Sequence, residues 1–175
     1  VESLQNFNRY FLDSAFVPYL IEGNSDRQID VGFLIKKDFK NPIQLITHKE
    51  RPLHFLYPHE NLSKKTGYPI KGQTHYFSRD CAELRIYRES SRSTSDPAVI
   101  ILLTHLKSRL DPEKIDPGGT ERRSAELRTC LEIHRELREK FPQTSVIFAG
   151  DMNGFAGRPE PDEEFQCIYK ETDLE

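Results

Sequence analysis

The stretch 145–154, SVIFAGDMNG, constrains the fold most, because it has a counterpart upstream. Its run 146–149 reads as a buried strand that stops at Gly150, Asp151 and Asn153. The run 99–103 is also uninterrupted and apolar, read as a strand buried on both faces, and it ends in Thr104, His105, Leu106, Lys107 and Ser108. Between them Leu127, Cys130, Leu131, His134, Leu137 and Phe141 recur at helical spacing, with Thr120 as the expected N-cap and Pro142 as the stop. The Glu and Arg residues on the helix's outer face read as solvated. Strand, helix, strand in this order builds a parallel crossover, and such a sheet offers polar groups to a cleft at the carboxyl ends of its strands. His105, Lys107, Asp151 and Asn153 are therefore expected close together. Taken alone, the decapeptide also fits an ordinary strand followed by an Asp/Asn/Gly turn.

Upstream, Leu4, Phe7, Phe11 and Leu12 predict an amphipathic helix limited by Pro18. Residues 18–22 and 29–35 read as two strands of a hairpin, turned by Gly23, Asn24, Ser25 and Asp26. Residues 44–47 read as a short strand, and Ala82, Leu84 and Ile86, alternating with Glu83, Arg85 and Tyr87, as a half-buried one. Residues 163–169 are expected to open a further helix. The Pro- and Gly-punctuated stretch 41–80 reads as a long loop overhanging the cleft. Its His48, His54, His59 and His75 lack the spacing of a ligand couple and read as surface or hydrogen-bonding groups. Lys49, Arg51, Lys64, Lys65 and Lys71 read as solvated loop charges, or as a local rim that attracts phosphate. With no repeat or linker, residues 1–175 read as one mixed α/β domain.

The net charge of −3 leaves no global basic surplus, so a phosphate-bearing partner must be held by a local patch or a metal. The same balance argues against a high-affinity duplex binder. Cys81, Cys130 and Cys167 fit neither a zinc pattern nor a disulfide framework and read as small core residues. No run has the length of a membrane span, and none resembles a signal peptide. At the two strand ends, a carboxylate can orient or deprotonate water or bind a hard cation. An amide can hold a phosphoryl oxygen, and an imidazole can stabilise or protonate one. Such a set suits metal-assisted hydrolysis of a phosphate ester.

The segments GNSDRQIDVGFL (23–34), FSRD (77–80), THLKS (104–108), ERRSAEL (121–127) and GDMN (150–153) resemble, in order and approximate spacing, the endonuclease/exonuclease/phosphatase superfamily. The resemblance runs over most of the chain. It implies an α/β (α+β) DNase I-like sandwich of mixed β-sheets flanked by helices. It implies a hydrolase, of nuclease, phosphodiesterase or phosphatase type, that uses Mg²⁺ or Mn²⁺. His105 resembles the family's strand-end histidine beside the scissile phosphate, and Asp151 the carboxylate that activates water. Asn153 resembles the partner that contacts phosphate and a second metal, which makes Asp151 and Asn153 the metal-side residues. Arg79, and Arg27 with Asp30, resemble groups at the edge of the substrate groove, with an ion pair or a turn contact as the alternative. Lys107, within THLKS, is expected to bind substrate.

The family's first-strand Asn, its metal-binding Glu and its C-terminal Asp-His pair are not in this sequence, and Glu2 is out of register for the Glu. The expectation is a central portion of a larger domain, with little activity by itself because the principal metal ligand lies outside it. The expected partner is a phosphate ester, nucleic acid among the candidates, and the expected state is a monomer. Two rivals stand beside this reading. One is a non-catalytic scaffold on the same fold. The other is a different metallophosphoesterase architecture, which expects an Asp-x-His that does not occur here.

Overall fold

The structure is a computed structural model that describes residues 2–60, 74–89 and 96–174. In chain order its elements are α1 (Glu2–Phe11), β1 (Phe16–Tyr19), β2 (Phe33–Lys36), β3 (Ile43–Ile46), β4 (Pro52–Leu53), β5 (His75–Tyr76), β6 (Cys81–Ile86), β7 (Val99–His105), α2 (Thr120–Lys140), β8 (Ser145–Asp151) and α3 (Gln166–Glu171). Short 3₁₀ turns, Pro117–Gly119 and Glu163–Phe165, lead into α2 and α3. The chain is thus of mixed α and β type.

The main sheet has four strands in the order β3-β6-β7-β8. Pairing is antiparallel from β3 to β7 and parallel between β7 and β8, as a helical crossover requires. Along β7 the two-residue period sends Ile100, Leu102 and Thr104 inward, at 0%, 0% and 1% exposure. Ile100 and Leu102 meet Leu127, Cys130, Leu131 and Leu137 of α2 in one apolar cluster, and the Thr104 hydroxyl accepts from the Cys130 thiol. Each fully buried Leu or Ile in such a cluster contributes about 1.5–3 kcal/mol. Ile101, Leu103 and His105 point to the other face, where Ile101 and β2 share the walls of a hollow of about 620 Å³. The hairpin β1–β2 and the two-stranded β4–β5 form separate small sheets.

The expected hairpin, the central strands and the long helix with its apolar stripe all form, and the structure moves several details. The hairpin strands are shorter than expected and shifted, β1 to Phe16–Tyr19 and β2 to Phe33–Lys36. β8 is an edge strand, not a fully buried one: Ile147 is 48% exposed because no described strand pairs beyond it. β7 is half-covered on its second face, where a buried strand was expected. The predicted apolar stripe of α1 is not a buried one, with Phe7 and Phe11 exposed. That helix is held instead by the buried Asn8, whose amide both donates to the Phe16 carbonyl at 2.8 Å and accepts from the Phe16 N–H at 3.1 Å.

Thr120 does not cap α2. The Asp116 carboxylate accepts from the N–H groups of Glu121 (3.0 Å) and Arg122 (3.1 Å), so an acidic group meets the positive helix end. The outer face of α2 is not wholly solvated either: Arg123 is 3% and Glu126 1% exposed. Cys81 and Cys130 are buried free thiols, as expected of core residues, and Cys167 is half-buried. His48 and His75 bond to Glu83 and Glu60, in keeping with hydrogen-bonding roles. Among the described residues, no helix is long and apolar enough to cross a membrane.

Gly150 limits where β8 can sit. Its φ is +152°, and a Cβ there would lie 2.0 Å from the Thr104 carbonyl oxygen. Gly150→Ala must push β8 off β7 and is expected to destabilise the fold by at least about 1–3 kcal/mol. Urea unfolding measures this, and a variant as stable as the parent would contradict the β7–β8 register.

Candidate functional site

Period and register together decide what meets at the strand ends. His105 and Asp151 are directly paired in the parallel ladder, and both end their strands. His105 Nε2 lies 3.6 Å from Asp151 Oδ2, within ion-pair range. The imidazole is about three-quarters covered, whereas the Asp151 side chain is 62% exposed and so open to water or a ligand. Its other oxygen accepts from the Asn153 N–H at 2.9 Å, a local turn that carries Asn153 into the left-handed region at φ +52°. The Asn153 amide then donates to the Leu106 carbonyl at 2.9 Å, which leaves its own oxygen as an acceptor.

Arg79 lies beneath this group. It is 8% exposed, and its Nη1 donates to the carbonyls of Leu106 (3.1 Å) and His105 (3.4 Å). Its Nε is buried without a partner among the described residues. A buried guanidinium that is only partly paired sits in a costly environment, and burial accordingly pushes its pKa down, Glu126 opposing and Arg27 adding to the effect. Burial, and then the Arg79 charge, also push the His105 pKa down, while Asp151 and Glu126 partly offset the shift. The imidazole is therefore held toward its neutral form.

The residues around β1 and β2 close one side. The Asp30 carboxylate accepts from the Gly23 N–H at 2.8 Å. Gly23 packs on the Arg79 backbone so closely that a Cβ would come within 3.2 Å of it. The Asn24 amide donates to the Phe77 carbonyl at 3.0 Å and the Lys49 carbonyl at 2.9 Å. Asp30 thus makes the turn contact and, through Gly23, fits this loop against Arg79; Arg27 is exposed nearby, with its charge felt at Arg79. Lys107 is drawn away from the group, its ammonium donating to the carbonyls of Ser108 and Leu110. In the supposed basic rim, Lys49 bonds the Glu22 carbonyl and Arg51 pairs with Glu136, while Lys64, Lys65 and Lys71 lie outside the described residues.

Neither of two surface hollows contains the group. One, of about 520 Å³, lies along Arg109, Thr120, Ser124 and Asp162, and the other lies under the hairpin. His105 and Asp151 stand on an open rim instead. Among the described residues, no group of three or more His, Cys, Asp or Glu side chains is placed to hold a metal ion. The Asp151 carboxylate and the Asn153 amide oxygen offer two hard oxygen donors. That fits the common Mg²⁺ pattern of one or two carboxylates completed by water and phosphate.

Glu126 and Arg123 were missed by reading the sequence as a solvated outer face. They stand four residues before Cys130 and Leu127, on the continuation of the buried stripe, and charges at those positions were the available signal. Arg123 donates to both Glu164 oxygens and to the Lys107 carbonyl, which ties α2 to the turn before α3. Comparison with known protein families, with curated proteins and with solved structures found no match.

Because the folded His105 binds its proton less tightly than the unfolded one, the unfolded chain carries more protons between the two values. Stability from this group is complete above the ordinary imidazole value of about 6.5 and is lost as pH falls through the folded value. NMR titration in divalent-free buffer should place His105 below about 6.5. Asp151→Asn should lower it further, since the carboxylate supports the proton. A midpoint above the ordinary value, or a rise in the variant, would contradict these electrostatics.

Proposed function

We propose that this chain carries part of a metal-dependent phosphoesterase centre of the endonuclease/exonuclease/phosphatase type, on a DNase I-like sandwich of mixed sheets. One observation carries the proposal. His105 and Asp151 meet at 3.6 Å on the ends of parallel strands, above the buried and incompletely paired guanidinium of Arg79. A neutral histidine, an open carboxylate and a desolvated cation within one small region suit the handling of a phosphate ester and a water molecule.

In this reading Asp151, the exposed member of the pair, accepts a proton from the attacking water. The new bond forms between that oxygen and phosphorus, the ester P–O bond opposite breaks, and the departing alkoxide takes a proton from solvent water to leave as the alcohol. His105, held toward its neutral form, donates a hydrogen bond to a phosphoryl oxygen. Asn153 is fixed by its bond to the Leu106 carbonyl and presents its amide oxygen beside Asp151. Arg79 offers fixed positive charge from below, where low dielectric strengthens its attraction for the charge that develops on the phosphoryl group. Arg27 adds positive charge at the open edge. Asp151 and Asn153 would hold Mg²⁺ or Mn²⁺, which when bound supplies Lewis-acid polarisation of the phosphoryl oxygen. Lys107 has no part in this scheme, because its ammonium is engaged by the loop carbonyls.

Asp151→Ala in the full-length gene product should lower hydrolysis of a phosphodiester by about 10²–10⁴-fold while the protein still folds, with a urea midpoint lowered only by the loss of the Asn153 N–H bond. A folded, active variant would sink the assignment of Asp151. If the parent protein turns over no phosphate ester and its His105 and Asn153 resonances ignore added Mg²⁺, the chain is a scaffold and not an enzyme.

A further inference from the structure

The peptide between Leu106 and Lys107 is gripped from both sides. Its carbonyl accepts from Arg79 Nη1 at 3.1 Å and from the Asn153 amide at 2.9 Å. Its N–H donates to Glu126 Oε2 at 2.7 Å, a charge-assisted bond in a buried setting. The other Glu126 oxygen reaches the residue just before Arg79, accepting from the Ser78 hydroxyl at 3.3 Å and, at the limit of 3.5 Å, from its N–H. One helix carboxylate, 1% exposed, therefore fixes both the backbone that carries Arg79 and the peptide to which Arg79 and Asn153 are tied.

From this arrangement we infer that Glu126 is the positioning residue of the centre: it orients the Leu106–Lys107 peptide so that its carbonyl aims Arg79 and Asn153 at the space beside His105 and Asp151. Arg122 completes the clamp. Its Nε donates to Glu126 at 3.2 Å, and its other nitrogens donate to the Tyr57 hydroxyl at 3.1 Å and the Tyr76 carbonyl at 2.7 Å. The charge on Glu126 is thus partly neutralised from the side away from the centre. Glu126 touches no reacting atom; it acts through the peptide. A carboxylate pulling on the N–H also polarises the peptide, which makes the carbonyl opposite a better acceptor for Arg79 and Asn153.

Glu126→Gln is the discriminating variant: it keeps the shape, but its one carbonyl oxygen can accept on only one side, so its NH₂ must face either the Lys107 N–H or the Ser78 and Arg122 donors. The part of the inference that concerns catalysis rests on the phosphoesterase reading, so it is tested with a second readout that does not. In the full-length gene product with Mg²⁺ and a chromogenic phosphodiester, kcat should fall about 10–100-fold, with a much smaller change in KM. In the same variant the Arg79 Nε–H and Asn153 side-chain amide resonances should move, and either the Lys107 or the Ser78 amide should lose protection from hydrogen exchange. Activity that falls only in step with the folded fraction, or unmoved Arg79 and Asn153 resonances, would overturn the assignment. Moved resonances in a protein without activity would uphold the clamp while the phosphoesterase reading failed. Should the variant not fold, exchange in the unaltered protein decides: the Lys107 amide must exchange at least about tenfold more slowly than that of Ser108, and equal rates would overturn the clamp.

Discussion

Parallel pairing of β7 with β8 is the constraint on which the rest of the site depends. The crossover through α2 makes the two strands run together, so both deliver their polar ends to one edge of the sheet. The register sets His105 opposite Asp151, and a shift of one residue would turn one of them to the opposite face. Gly150 defends that register, since only a residue without a side chain lets β8 pass the Thr104 carbonyl. The apolar cluster under β7 therefore does more than stabilise the fold, because it holds the strand that ends in His105, a residue of the candidate site.

Around this edge the backbone and the buried charges are inseparable. Arg79, Asn153 and Glu126 do not bind one another; all three bind the single peptide between Leu106 and Lys107. Burying Arg79 is costly, and the charge of Glu126 opposes only part of that cost, while Glu126 itself pairs with Arg122. Both side chains bond strand-end and loop backbone, Arg79 the His105 and Leu106 carbonyls and Glu126 the Lys107 and Ser78 N–H groups. Lys107 shows the converse, since a long cation at the same loop finds carbonyls of its own and leaves the centre.

Where the pattern was strong, the sequence was sufficient. The apolar runs at 99–103 and 146–149, with the helical stripe from Leu127 to Phe141 between them, led to the crossover and so to the proximity of His105, Asp151 and Asn153. The hairpin was legible from its turn, but its strand limits were not: only Phe16–Tyr19 and Phe33–Lys36 pair, so the connection between them is longer than the turn residues alone imply. Composition reads charge as exposure, which misplaced Glu126 and Arg123. Their burial depends on which loops come to lie over the first turns of α2, a tertiary fact. The α1 helix forms as its spacing predicts, but Phe7 and Phe11 stay exposed, because apolar spacing gives a buried face only where another element covers it; Asn8 ties the helix to Phe16. The Lys107 ammonium lies away from the expected group because a motif gives the position of a side chain's root, not where its ammonium finds acceptors.

If water activated beside Asp151 attacks phosphorus, solvent oxygen must end on the phosphoryl group. Turnover of a phosphodiester by the full-length gene product in ¹⁸O-labelled water with Mg²⁺, the products weighed by mass spectrometry, tests this directly. One solvent oxygen is expected in the phosphoryl product and none in the released alcohol. Label in the alcohol, or no turnover by a folded protein across DNA, RNA and small phosphodiesters, would contradict the proposed attack.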